Sequence, residues 1–294
     1  MHIIFVENLA EAFLSLCKED FSLLGAIEVG MRTHEWVPTF VISQIASLSA
    51  SKVEYRLQHL FEQKLVVRET LHYLGYQINF DAYDLLALSD FVKRNSINSI
   101  GDEIGVGKES VVYGALGEIP LAIKFHRQGR TSFKHVRRLR DHLTDKPKVP
   151  WLYAAALAAR HEHLVMKKLY PQVSIPRPVG VSRHALAMEF IDGPQLNKIT
   201  LSDPEDGLNM ILDEVGRALN LGIIHSDLSE FKIMISESGP KIIDWPQAVE
   251  VTHPHAQELL ERDIGNVLRF FERKYRMETT LEKALMRARE AVRS

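Results

Sequence analysis

The sequence predicts an α+β protein: a winged helix, then a larger domain in which short strands come first and helices follow. Three observations carry this reading. A helix–turn–helix pattern over residues 37–67 runs into two β-rich segments around a glycine turn. From Ser96 onward, short apolar, β-rich runs precede the helical ones. The chain has 294 residues, 46% hydrophobic and 25% charged, which suits roughly two ordinary globular domains.

Residues 1–30 carry apolar groups at helical spacing, among them Leu9, Phe13, Leu16 and Leu23. Val41 to Ala46 predicts a short apolar helix. Ser49-Ala50-Ser51 turns the chain, and Glu54 stands three residues after Ser51, the spacing of a capping box. Val53, Leu57, Leu60 and Phe61 then form the inner face of a second helix. Val66–Glu69 and Tyr76–Phe80 read as strands on either side of a turn near Leu74-Gly75. The second helix carries Lys52, Arg56 and His59, with Lys64 just beyond, but also Glu54 and Glu62. That mixed charge argues against duplex DNA and fits structured RNA, a ribonucleoprotein or a protein-docking role. A linker helix is expected from Tyr83 to Lys93. Strands follow at Val111–Tyr113 and Pro120–Lys124, a strong helix at Trp151–Leu169 and a strand at Ala185–Phe190. A helix over Ile211–Leu221 ends at Gly222, a suitable C-cap.

Composition excludes several classes. Cys17 is the only cysteine, so no intrachain disulfide or all-cysteine metal site exists. No apolar run reaches the roughly 18 residues of a membrane span. The start lacks a basic region and an apolar region of signal-peptide length, so a cytoplasmic, reducing location is expected. With 36 Lys and Arg against 38 Asp and Glu, the net charge is −2, and only a local patch can serve nucleic acid. One such stretch holds Arg127, Arg130, Lys134, Arg137, Arg138, Arg140, Lys146 and Lys148, opposed by Asp141 and Asp145. It reads either as a solvated loop or as an arm facing RNA phosphates.

Four segments suggest chemistry. Gly105-Val106-Gly107-Lys108-Glu109-Ser110-Val111-Val112 has two glycines around one residue, which permits close approach to a phosphate. It is not a Walker A loop, since Asp102 and Glu109 stand where that pattern wants Gly and Ser or Thr. A β-like run follows it, as in the glycine-rich loop of kinases, with Val112 at the Val position and Ser110 replacing the third glycine. Leu121-Ala122-Ile123-Lys124 comes close to the kinase V-A-I-K strand, and a buried ammonium there needs anionic partners. Glu162, in the helix from Trp151, is a candidate partner. His225-Ser226-Asp227-Leu228-Ser229-Glu230-Phe231-Lys232, followed by Ile242-Ile243-Asp244-Trp245, supplies two aspartates in loop contexts. One suits orientation of a hydroxyl or water, the other a metal ion at a strand end.

This ordered set resembles the RIO family of atypical protein kinases, whose catalytic loop reads H-x-D-L-S-E and whose metal site reads I-D. The segment Phe125–Phe133 and the preceding winged helix resemble its second, winged-helix-containing subfamily. The resemblance implies a compact bilobal protein-kinase-like domain: winged helix 1–82, linker helix 83–95, N-lobe 96–190 and C-lobe 191–294. It implies ATP with Mg²⁺ or Mn²⁺, serine phosphorylation including autophosphorylation, and ATP hydrolysis through an aspartyl phosphate. Its implied partners are the small ribosomal subunit precursor and its RNA. By the same resemblance, the loop from Gly105 to Ser110 covers the triphosphate. Lys124 orients the α- and β-phosphates and pairs with Glu162, and the backbone near Glu189 and Ile191 meets the adenine. Asp227 is the catalytic aspartate; Asp244 holds the metal or accepts the phosphoryl group.

Two departures stand out. Lys232 occupies the position, five residues after the catalytic Asp, where an Asn ordinarily gives an oxygen to a metal ion. A protonated lysine cannot coordinate, although its charge can stand in for a cation. Ser226 replaces the Arg of ordinary kinases and no A-P-E segment follows Asp244, so control by an activation loop is not expected. Two alternatives follow: a weakly catalytic ATP-binding assembly factor, favoured by Lys232, and a winged-helix transcription regulator, disfavoured by the ATP-site set.

Overall fold

The computed structural model describes residues 9–127 and 150–290. The basic residues from Arg130 to Lys148 lie outside them. The chain divides into two compact units, Met1–Arg160 with Gly180–Ala187, and His161–Val179 with Met188–Ser294. Among the described residues, no helix is long and apolar enough to cross a membrane.

The first unit opens with α1 (Leu9–Ser15), α2 (Lys18–Gly30), β1 (Val37–Pro38), α3 (Thr39–Ala46) and α4 (Ala50–Glu62). β2 (Val66–Glu69) and β3 (Gly75–Ile78) follow, and the three strands pair in the order β1-β3-β2. This is the expected winged helix. Val53, Leu57 and Leu60 of α4 are fully buried, as their spacing requires. The capping box is a correction. The chain is extended at Ser49, so the helix starts at Ala50 and Ser51 lies inside it. The Ser49 and Ser51 hydroxyls face each other at 3.4 Å instead of capping.

The helix expected from Tyr83 begins earlier: α5 spans Phe80–Lys93, and Asn79 caps it by accepting the Ala82 N–H at 3.0 Å. It buries residues on every side, from Tyr83 and Leu85 to Ser89 and Phe91, and shares one core with the winged helix and the strands that follow. Those are β4 (Ser99–Val106), β5 (Ser110–Leu116), β6 (Pro120–His126), β7 (Pro178–Ser182) and β8 (Ala185–Glu189), in sheet order β4-β5-β6-β8-β7.

Two arginines pin α5 to this sheet. Arg127 forks onto the Asp84 carboxylate, with one N–O distance of 2.8 Å, and lies 5.0 Å from the Phe80 ring. Arg183, between β7 and β8, binds Glu28 of α2 at 2.8 Å and Asp90 of α5 at 2.7 Å. Arg127 therefore belongs to a half-buried ion pair, not to a phosphate-facing arm. Adjacency to basic residues misled the sequence reading; its partner Asp84 is 43 residues away.

His184 completes the cluster. It is fully buried, stacks on Tyr83 at 4.5 Å, and places Nε2 2.7 Å from Asp84 and 2.8 Å from Arg127. Burial, only partly offset by Asp84, depresses its pKa to about 4. The unfolded chain binds this proton near pH 6.5 and the folded chain only near pH 4. Stability is therefore fully present above pH 6.5 and is lost as pH falls towards 4, by about 3 kcal/mol for this group. Denaturant unfolding from pH 7 to 4.5 should show that loss, and His184→Phe should make it shallower. Parallel curves for the two proteins would remove His184 as a cause.

The second unit contains the later part of α6 (Pro150–Leu169), then α7 (Pro204–Asn220), β9 (Ile223–Ile224), the hairpin β10 (Ile233–Ser236) and β11 (Gly239–Ile242), and β12 (Val249–Glu250). α8 (Ala256–Tyr275) and α9 (Leu281–Glu290) close it. α7 starts with Asp203 as N-cap and Pro204 in its first turn. It stops as expected: Gly222 takes φ +75° and donates to the Leu219 carbonyl at 2.8 Å. Leu228, Ile233, Ile242 and Ile264 are fully buried, so a packed core lies beneath the loop that follows β9.

Candidate active site

The second unit builds its site on that loop, His225 to Ser229, and on the turn after β11. The turn at Ser226 is tight. Its φ is +61°, which a serine adopts at some energetic cost, and the surrounding bonds hold it there. Its N–H donates to Asp263 at 2.6 Å and its hydroxyl to the Gln247 carbonyl, while Arg262 donates to its carbonyl. The Leu228 N–H reaches the other Asp263 oxygen at 2.9 Å, and Asn266 Nδ2 holds the Leu228 carbonyl at 2.9 Å. One buried carboxylate on α8 thus grips the backbone on both sides of Asp227. Burial pushes the Asp263 pKa up to about 6, against the two N–H donors that favour its charged form.

His225 is a strut. It is buried, its ring lies 4.6 Å from that of Trp245, and Nε2 contacts the Ile243 carbonyl at 3.1 Å. Burial lowers its pKa to about 4, so it is neutral at pH 7 and donates that bond. Asp244 has φ +70°, and the next residue is tied down from α6: the Trp245 N–H donates to Glu162 Oε1 at 2.9 Å. Glu162 is fully buried.

Strapped in this way, Asp227 and Asp244 present their carboxylates to solvent, with side chains 55% and 33% exposed. Lys232 joins them: Nζ donates to Asp227 Oδ2 and lies 2.8 Å from Asp244 Oδ2. Burial alone lowers the pKa of this lysine, but the two carboxylates outweigh it and the net shift is upward. Two oxygen-bearing carboxylates beside open solvent suit one hard divalent ion, which binds through one or two carboxylates plus substrate phosphates. The ammonium of Lys232 does not suit a second.

The first unit holds the remaining candidates. Gly105 and Val106 end β4, and Gly107, Lys108 and Glu109 make the turn into β5, which starts at Ser110. The Gly107 N–H donates to the Ser110 carbonyl at 2.8 Å, and the Arg127 N–H to the Glu109 carbonyl at 2.7 Å. A Cβ at Gly105 would meet nothing within 4 Å, so the fold itself does not need glycine there. That open space is what a closely approaching phosphate requires. Lys124 lies on β6, paired with Val112, and is 4% exposed. In the second unit, Glu189 ends β8; its N–H donates to the Arg177 carbonyl at 2.9 Å and its side chain accepts the Arg177 N–H at 3.0 Å. Ile191 is buried.

Sequence reasoning missed Asp263, Arg262 and Asn266. A signal existed for the first: Asp263 sits in the apolar stripe Leu260, Ile264, Val267, Phe271, where an acid needs a buried partner.

Comparison with known proteins agrees with this geometry. The RIO domain family matches residues 111–284, and the family described as Rio2, N-terminal, matches residues 13–94. A RIO-type serine/threonine-protein kinase Rio2 from Methanocaldococcus jannaschii is 41% identical over 86% of this chain and 96% of its own length. The serine/threonine-protein kinase rio2 of Schizosaccharomyces pombe is 39% identical over 90% of this chain and 79% of its own. A crystal structure of the Rio2 kinase-ADP/Mg²⁺-phosphoaspartate complex from Chaetomium thermophilum superposes with a TM-score of 0.81 at 30% identity. It covers 97% of this chain and 92% of that one.

Proposed function

The chain belongs to the RIO family of serine/threonine protein kinases, and from that membership we propose that it transfers the γ-phosphoryl group of ATP to serine, or to water through Asp244, in cytoplasmic maturation of the small ribosomal subunit. The observation that carries the chemistry is the pair of solvent-facing carboxylates, Asp227 and Asp244, on backbone strapped from beneath by Asp263 and Glu162. Such preorganisation is what phosphoryl transfer asks of a protein, since positioning and charge stabilisation do most of the work.

Asp227 orients the attacking hydroxyl and takes its proton. On the hydrolytic route an Asp244 oxygen attacks the γ-phosphorus, its bond to the β-phosphate oxygen breaks, and ADP leaves. Water then cleaves the aspartyl phosphate, releasing phosphate and restoring the carboxylate. The phosphoaspartate complex of the Chaetomium relative supports this route. Lys124 holds the α- and β-phosphates, under the Gly105–Ser110 loop. The Glu189 N–H is already engaged by Arg177, so an adenine meets the Glu189 carbonyl and the backbone at Ile191. Asp244 holds Mg²⁺ or Mn²⁺, whose charge neutralises the phosphates when bound.

A second reading rests on Lys232: a weakly catalytic, ATP-binding assembly factor in which nucleotide sets the conformation. Under either reading the partner is small-subunit precursor RNA, supported by the basic run from Arg130 to Lys148; that binding should weaken steeply with salt.

The nucleotide site is tested by thermal unfolding. ATP with Mg²⁺ at about 100 times its Kd should stabilise the chain by about 2.7 kcal/mol and raise Tm. Lys124→Ala should reduce that rise by about half or more, because an affinity loss enters the stabilisation directly. Equal rises in the two proteins would take Lys124 out of the site.

A further inference from the structure

The residue after the short turn Glu230–Lys232 is the first of β10, and the register of the β10–β11 hairpin places Ile233 opposite Ile242. The next rung is Lys232 against Ile243, whose N–H donates to the Lys232 carbonyl at 2.9 Å. Asp244 comes immediately after. The backbone therefore fixes Lys232 beside Asp244. The Lys232 N–H is also bound, to the Ser229 carbonyl at 2.9 Å, which closes the turn back towards Asp227. From that fixed base the side chain, 17% exposed, reaches both carboxylates at once. An ammonium held between two carboxylates answers the same electrostatic demand as a metal ion there.

We propose that Lys232 is a resident cation of the Asp227–Asp244 pair, which takes the place of one divalent ion and competes with the other for Asp244. Two carboxylates carry two negative charges; Lys232 leaves the pair with one. A divalent ion arriving at Asp244 must displace the ammonium from Oδ2 or share that oxygen with it. The chain should therefore bind free metal weakly. It should also keep much of its nucleotide affinity when divalent ions are removed, because a positive charge for the phosphates is built in. The inference rests on the nucleotide-site reading above and deepens it.

The test uses Mn²⁺ alone, titrated into the full chain and followed by the electron paramagnetic resonance of the free ion, with no nucleotide present. Lys232→Met removes the charge without adding a donor, and Lys232→Asn removes it and adds an oxygen. Both variants should bind Mn²⁺ about tenfold or more tightly than the wild type, since a like charge at contact distance has gone. In a second arm, ATP binding is measured in excess EDTA. The wild type should lose only about tenfold in affinity relative to Mg²⁺ conditions, whereas Lys232→Asn should lose about a hundredfold or more. Equal Mn²⁺ affinity in wild type and Lys232→Met would overturn the proposal, as would equal EDTA sensitivity in wild type and Lys232→Asn. The metal arm contains no nucleotide. A failed competition thus leaves the ATP-dependent rise in Tm standing, and a missing rise in Tm leaves the metal comparison readable.

Discussion

Asp227→Asn and Asp244→Asn should each reduce phosphoryl transfer by about a thousandfold or more, the range found when a preorganised charged group is removed from a transition state. The two losses should differ in kind. Asp227 is the more exposed carboxylate and its backbone is gripped through Ser226 and Leu228, so its amide variant keeps the loop and loses the proton acceptor. Nucleotide binding should persist there. Asp244 faces Lys232 at 2.8 Å and is the proposed holder of the metal ion, so its variant should weaken nucleotide binding as well as lose turnover. Single-turnover assays with γ-labelled ATP, chasing label into protein and into free phosphate, separate the routes. Release of phosphate by Asp244→Asn at the wild-type rate would be fatal to the aspartyl-phosphate route.

The second large effect is expected far from any substrate. Asp263→Ala should destabilise the protein by on the order of 3 kcal/mol, because it strands two buried backbone donors, those of Ser226 and Leu228. It should also slow transfer sharply, since Ser226 then loses the bond from its N–H that helps hold φ +61° and Asp227 loses its aim. Denaturant unfolding and the same single-turnover assay read the two consequences independently. A variant within about 0.5 kcal/mol of wild type would mean that the loop carries its own conformation.

Much of this architecture was legible in the chain. Apolar spacing at Val53, Leu57 and Leu60 marked a helix, Gly222 marked the end of another, and the joint order of glycine loop, Ala-Ile-Lys, His-x-Asp and Ile-Ile-Asp pointed to the family. What escaped detection has physical reasons. β4 holds two glycines and two acids, lies at the sheet edge and is mostly exposed, so neither burial nor β-propensity announces it. Its register shifts twice, between Ile100 and Glu103 and again before Gly105, which blurs alternation further. Arg127 read as one of a basic run, and Arg183 drew no reading at all, because their partners, Asp84, Glu28 and Asp90, lie far away in the chain. Lys232 was legible as a departure from pattern whose charge can stand in for a cation; its place beside Asp227 came from the structure. Its contact with Asp244 follows from the hairpin register.

The arginine pins on α5 have a consequence for cooperativity. A module joined to its neighbour by an exposed tether unfolds alone, but here α5 supplies Asp84 and Asp90 to guanidinium groups borne by the sheet. Local opening of α5 would leave the partly buried Arg127 without its carboxylate and Arg183 with Glu28 alone, a penalty far above that of fraying a helix end. The slowest-exchanging amides of the winged helix and of β6 should therefore belong to one foldon, with a common opening free energy. Shortening the chain to start after Lys93 would not release an independent domain; it would excise one wall of a shared core.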